Sequence, residues 1–63
     1  METPTLRRTV IDEERSVRYQ IFAYRDLTEG EAVAAVRFFL SQKRRKPKKN
    51  STIEIHTVIG CRD

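Results

Sequence analysis

The sequence predicts a small α+β fold, a two-layer sandwich in which one helix covers one face of a three-stranded mixed sheet. Residues 28–45 place apolar side chains at helical spacing, while residues 16–25 and 52–59 alternate at the period of a strand. Residues 6–11 form an optional first strand with a less regular alternation. In the order ββαβ, the two strands that flank the helix are expected to run parallel, and the first strand antiparallel to the second.

The first strand follows residues 1–5, which carry a proline and little to bury and are predicted to be a loose arm. Strand alternation would place Leu6, Arg8 and Val10 on one face and Arg7, Thr9 and Ile11 on the other. Each face would carry both apolar and polar side chains. The polar residues 12–15 then suggest a turn into the second strand. The turn contains no Asn-Gly or Asp-Gly, so a loop longer than two residues is expected.

The second and third strands each divide into an apolar face and a mixed face. The helix is expected to cover the apolar one, formed by Val17, Tyr19, Ile21, Ala23, Ile53, Ile55 and Ile59. One helix covers only one side of a sheet. The other side would therefore expose Arg18, Gln20, Phe22, Tyr24, Glu54, His56 and Val58.

The helix begins with a capping box, in which the Thr28 hydroxyl accepts from the Glu31 amide while the Glu31 carboxylate accepts from the Thr28 amide. Its apolar stripe consists of Ala32, Val33, Ala35, Val36, Phe39, Leu40 and the aliphatic stem of Lys43. Phe38 lies off this stripe and is a candidate contact residue for a partner. Pro47 cannot lie in a helix interior, so the helix is expected to end near Arg44 or Arg45.

The positive charge is concentrated in one segment. The chain has 13 basic and 9 acidic residues, a net charge of +4, and six of the basic residues lie in 43–49. The remaining seven basic residues leave the rest of the chain at −2. The protein is thus a nearly neutral body with a basic loop over residues 43–51, which would attract phosphate groups or an acidic protein surface, or simply be solvated.

The first functional hypothesis is a small non-enzymatic protein that binds nucleic acid and acts as a regulator. The basic loop would supply phosphate contacts through Lys43, Arg44, Arg45, Lys46, Lys48 and Lys49. On the uncovered sheet face, base stacking or further contacts would come from Arg18, Phe22, Tyr24 and His56. Alternatively, the two aromatic residues are buried under the N-terminal arm or in a dimer interface. No base-reading pattern is recognisable, so weak sequence specificity is expected for either DNA or RNA.

Two other functions remain open. The first is a protein-interaction module, an inhibitor or adaptor that docks the basic loop and an apolar patch around Phe38 on a larger acidic partner. Its architecture is similar to that of many small phage and plasmid proteins, an analogy of shape and not of motif. The second is a structural homodimer whose uncovered sheet faces meet, because a chain of 63 residues has a small core.

Several functions are not expected. His56 has Glu54 nearby in sequence but no nucleophile, so an enzyme is not predicted. One histidine and one cysteine, Cys61, do not make a zinc site or an internal disulfide, and no cofactor is expected. No apolar run could span a membrane and the first residues lack a secretory pattern, so a cytoplasmic protein is expected. The chain is predicted to be a single domain with a frayed tail at residues 61–63.

Overall fold

The computed structural model has the predicted architecture, one three-stranded mixed sheet with a single helix on one face. The structure describes residues 3–42 and 47–61. In chain order the elements are β1 (Thr5–Asp12), β2 (Val17–Ala23), α1 (Glu29–Gln42) and β3 (Thr52–His56). β2 is the central strand, with β1 antiparallel on one side and β3 parallel on the other.

The core lies between α1 and the sheet. Alternate side chains of β2 point at the helix and are buried, namely Val17, Tyr19, Ile21 and Ala23. The same cluster contains Leu27, Ala32 and Val36, and Ile55 of β3 beside Ile21, with Ile53 and Ile59 partly buried against it. The predicted helix-facing side of the sheet is therefore confirmed. Leu40, which the helical stripe placed on the covered face, is 37% exposed, whereas its neighbour Phe39 packs against the cluster.

The capping box forms as predicted at the start of α1. The Glu31 amide donates to Thr28 Oγ1 at 3.2 Å, and the Thr28 amide donates to Glu31 Oε1 at 3.0 Å. Arg25 adds a bidentate contact, in which its two terminal nitrogens donate to the two Glu31 carboxylate oxygens at 3.2 and 2.6 Å. The hydrogen bonds from Arg25 and from the Thr28 amide lower the pKa of the Glu31 carboxyl from 4.5 to about 2. The predicted helix end near Arg44 or Arg45 lies outside the described residues.

Several strand boundaries differ from the sequence prediction. β1 begins at Thr5, the last residue of the predicted arm, because Thr5 pairs with Ala23. β3 ends at His56 instead of Ile59, since the ladder with β2 ends at the pair Phe22 and His56. In the predicted tail, the Cys61 amide donates to the Val58 carbonyl at 2.9 Å, while residues 62–63 are outside the described part.

A bulge in β1 changes which of its side chains share a face. The register shifts between Leu6 and Arg8, so that Leu6 lies opposite Phe22 whereas Arg8 lies opposite Ile21. Because directly paired residues of antiparallel strands point to the same side, Leu6 joins Thr9 on the face away from the helix. The prediction that Leu6 shares a face with Arg8 and Val10 was wrong, since the extra residue of the bulge reverses the alternation.

Candidate functional site

The side of the sheet away from α1 carries nine side chains in three rows, and we call it the open face. The rows follow from the strand register: Leu6, Phe22 and His56; Thr9, Gln20 and Glu54; Ile11, Arg18 and Thr52. None of these nine side chains is buried. The first and last rows are four residues apart along β2, or roughly 13 Å at the rise of a strand.

The first row contains an aromatic stack. The Phe22 and His56 rings are nearly parallel, with an interplanar angle of 10° and centroids 4.6 Å apart. His56 Nε2 also lies 3.3 Å from Glu54 Oε1, and both side chains are more than half exposed. Two stacked rings at one end of an exposed sheet face offer a surface on which a planar base could continue the stack.

The last row adjoins the basic loop. Arg18 is exposed there, and its amide donates to the Ser51 carbonyl at 3.0 Å. The Asn50 amide donates to the carbonyl of Arg15, in the turn between β1 and β2, at 3.1 Å. Asn50 has a positive φ of 61°, a conformation that asparagine tolerates better than most residues. The end of the loop is thereby fixed against the same end of the sheet that carries Arg18.

The structure describes two of the six cations predicted in the basic loop. Lys48 and Lys49 are exposed in the loop that leads into β3. Residues 43–46, which include the predicted contacts Lys43, Arg44, Arg45 and Lys46, lie outside the described residues. The acidic pair Glu13 and Glu14 is exposed in the turn between β1 and β2, at the same end of the sheet, and offsets part of the local positive field.

Tyr24 departs from its predicted position. It lies just beyond the last residue of β2, is half-buried, and donates its amide to the Ile59 carbonyl at 2.9 Å. It therefore lies outside the three cross-strand rows of the open face. Phe22 is also half-buried, covered in part by the imidazole of His56.

A second surface lies between α1 and the third strand. It is a groove with a volume of about 680 Å³, lined by residues 54–59 and by one flank of the helix that includes Ala34, Ala35, Phe38 and Phe39. Phe38, the predicted contact residue, is 66% exposed at this groove. Val58, predicted on the open face, lines the groove and is 78% exposed.

Sequence reasoning missed two apolar members of the open face. Leu6 and Ile11 are 47% and 59% exposed, and they belong to the first and last rows of the open face respectively. Their alternation places Ile11 on the face opposite Leu6, and only the bulge brings them to one side. A cross-strand register would have revealed the grouping, but periodicity alone carries no such signal.

Within residues 3–42 and 47–61, no helix is long and apolar enough to cross a membrane. No group of three His, Cys, Asp or Glu side chains in this part of the chain is placed to hold a metal ion. Comparison with models of known families, with curated proteins and with solved structures finds no match to this chain.

Proposed function

We propose that the protein binds nucleic acid without catalysing a reaction, using the open face and the adjoining basic loop as one surface. The observation that carries this proposal is the arrangement of the open face, with the Phe22 and His56 stack at one end and Arg18 beside the basic loop at the other. Bases would stack at the first end while phosphates contact cations at the second. The distance between the rows, roughly 13 Å, leaves room for an extended strand to cross the sheet.

A single strand fits this surface better than a duplex. Stacking on Phe22 or His56 requires an unpaired base whose face is accessible, which a duplex does not present along its length. The Glu54 carboxylate, which lies beside His56, would repel a phosphate at that end of the surface. The phosphates are therefore directed toward Arg18, Lys48 and Lys49.

Sequence specificity is expected to be weak. Stacking accepts every base, because every base has a planar face, and phosphate contacts carry no sequence information. Among the nine side chains of the open face, Gln20 is the only amide that could pair with a base edge. One such side chain supports at most a modest preference.

A salt titration tests the proposal. Binding of fluorescent single-stranded and duplex oligonucleotides is measured by anisotropy over a range of salt concentrations. Each phosphate contact contributes about 0.7 to the log–log slope for a single strand and about 0.9 for a duplex. Replacing Arg44, Arg45, Lys46 and Lys48 together with alanine should flatten this slope. A slope that survives unchanged would contradict a role for the loop.

Arg37→Ala is the matched control. Arg37 is exposed on α1, away from the sheet, so its loss removes a cation without changing the proposed surface. The slope should stay within error of the parent protein. Absorbance of the purified protein at 260 and 280 nm, before and after a high-salt wash, would also reveal co-purifying nucleic acid directly.

A protein-interaction module is the second candidate, favoured by the exposed Phe38 at an apolar groove. In this alternative the basic loop docks on an acidic partner and Phe38 supplies the apolar anchor. Capture from a lysate treated with nuclease separates the two functions. A protein retained after nuclease treatment supports the interaction module, whereas material lost on treatment supports nucleic-acid binding.

A further inference from the structure

The outer edge of β3 has backbone groups that no other strand of the sheet covers. β3 has a neighbour, β2, on one side only. The Thr57 amide donates inward to the Phe22 carbonyl. Because successive residues of a strand direct their backbone groups to opposite sides, Glu54 and His56 direct theirs outward. Both residues also line the apolar groove against α1. An exposed strand edge beside an apolar groove is a template for another strand.

We propose that this edge pairs with the same edge of a second copy, antiparallel about a two-fold axis at Ile55. In this register Glu54 lies opposite the partner's His56, and His56 lies opposite the partner's Glu54. Both positions have outward backbone groups, so each pair exchanges two hydrogen bonds. The two sheets would join into one six-stranded sheet with both helices on the same side.

Side-chain complementarity favours a second copy as the occupant. Glu54 is an acceptor, and the His56 imidazole donates to it whether neutral or protonated. Within one chain the two groups already lie 3.3 Å apart. The antiparallel arrangement places a carboxylate against an imidazole twice, because a two-fold axis repeats every contact. Opposite charges across a strand pair stabilise it, while like charges directly opposite destabilise it.

The same rule selects the register. Moving the axis to Glu54 would bring the two Glu54 carboxylates together, and moving it to His56 would oppose the two imidazoles. With the axis at Ile55, the two Ile55 residues lie opposite each other on the helix side of the joined sheet. Each Ile55 side chain is already buried in its own core, at 7% exposure, so the register places no charged or polar side chain at the axis on that side.

This dimer differs from one in which the open faces meet. Edge pairing leaves both open faces accessible and places the two aromatic stacks near each other, across the new strand pair. The inference goes beyond nucleic-acid binding and does not depend on it. The two can therefore fail separately, since dimerisation is measured without nucleic acid.

Sedimentation velocity of the 63-residue chain over a wide concentration range tests the pairing. The parent protein should change from monomer to dimer as concentration rises. Glu54→Lys places a lysine, which cannot accept a hydrogen bond, opposite each imidazole, and His56→Glu places two carboxylates opposite each other. The two-fold axis repeats each change twice. Each should weaken dimerisation by about 10-fold, as two changed cross-strand pairs imply. An equimolar mixture of the two variants should restore it, because the introduced lysine of one chain then faces the introduced glutamate of the other.

Thr9→Lys is the matched control. Thr9 lies in the same row as Glu54 but on β1, the opposite edge strand, so it adds a lysine to the open face away from the edge of β3. Its dimerisation should equal that of the parent. Glu54→Pro removes the outward donor at an edge position where proline is tolerated, and should abolish the dimer. Circular dichroism confirms that each variant remains folded.

Two results would overturn the proposal. A parent protein that stays monomeric up to millimolar concentration would leave the edge to a different protein. A dimer that withstands Glu54→Pro and both charge changes would be formed by another surface, such as the open faces.

Discussion

The imidazole of His56 lies nearly parallel to the ring of Phe22, with their centroids 4.6 Å apart. The two residues belong to neighbouring strands of the sheet, although α1 separates these strands in sequence. They are direct cross-strand partners at the end of the β2–β3 ladder. The stack therefore exists only when the third strand has docked in register. The proposed binding surface is therefore complete only when the third strand has joined the sheet.

The first prediction tests stacking on this pair. Phe22→Leu keeps an apolar side chain but removes the aromatic face, so affinity for a single-stranded oligonucleotide should fall about 10-fold, within the range of about 1–3 kcal/mol for a stacked base. Duplex affinity and the salt slope should change little. Phe38→Leu makes the same replacement on the helix, away from the open face, and should bind like the parent. Equal losses for both variants would contradict the assignment.

The second prediction separates the open face from the basic loop. Arg18→Gln removes the cation at the end of the open face while leaving the loop sequence intact. The log–log salt slope for single-stranded binding should become less steep by about 0.7, the value of one phosphate contact. Affinity measured by anisotropy at several salt concentrations gives this slope. An unchanged slope would confine the phosphate contacts to the loop.

The third prediction concerns acid stability. The Arg25 contact and the Thr28 amide hold the pKa of Glu31 near 2, below its ordinary 4.5, so the unfolded chain binds a proton more readily than the folded one. The contribution of Glu31 is complete above pH 4.5 and is lost as pH falls toward 2. Glu31→Gln should remove this part of the pH dependence.

Chemical denaturation at several pH values in that window provides the measurement. Glu29→Gln is the control, since it removes a carboxylate from the same first helical turn without breaking the Arg25 contact. Its stability should decline with acid as steeply as that of the parent. If Glu31→Gln and Glu29→Gln give the same profile, the Arg25 contact does not stabilise the fold in solution.

The fourth prediction compares two glycines. Gly60 has a φ of 82°, and a Cβ there would lie 2.6 Å from Arg25 Cγ and 3.0 Å from the Arg25 backbone nitrogen. Gly60→Ala should destabilise the fold by about 1–3 kcal/mol, since alanine is strained at this φ and the backbone nitrogen cannot move aside. At Gly30 the nearest atom is Thr28 Oγ1 at 4.0 Å. Gly30→Ala should be neutral or stabilise by up to about 1 kcal/mol.

Thermal and denaturant unfolding of both glycine variants would provide the comparison. Similar stability for the two would show that residues near Gly60 relax to accommodate a methyl group. A large loss at Gly30 would instead point to an effect on the capping box, because Gly30 lies between Thr28 and Glu31.

Much of the fold could be predicted from residues that are close together in the sequence. The capping box depends on residues three apart, and the alternation in β2 depends on residues two apart, so both are written in neighbouring positions. The side of the sheet that the helix covers could be predicted because Val17 and Ile21 on one face are apolar, whereas Arg18 on the other face is charged. Burial of Leu27 was not predicted, since it depends on how the link between β2 and α1 crosses the core.

The composition of the candidate site was harder to predict. Phe22 and His56 were assigned to one face from alternation, but their stacking depends on the register of the parallel ladder, which periodicity does not specify. The bulge that moves Leu6 to the open face has no glycine or proline to signal it. The groove beside Phe38 arises from the position of α1 over the sheet, a tertiary relationship with no local signature.

The parallel pairing of β2 with β3 also has a consequence for folding. β1 and β2 form a local hairpin and α1 has only local hydrogen bonds, so both can form within about 10 μs. Arg18 can meet Thr52 only after the helix and the basic loop have been folded back, which makes this closure the slow, entropically costly step. Until then the apolar central strand has one unpaired edge. We expect newly synthesised chains to aggregate through β2, and a variant that slows docking of the third strand to increase this even when its final stability is unchanged.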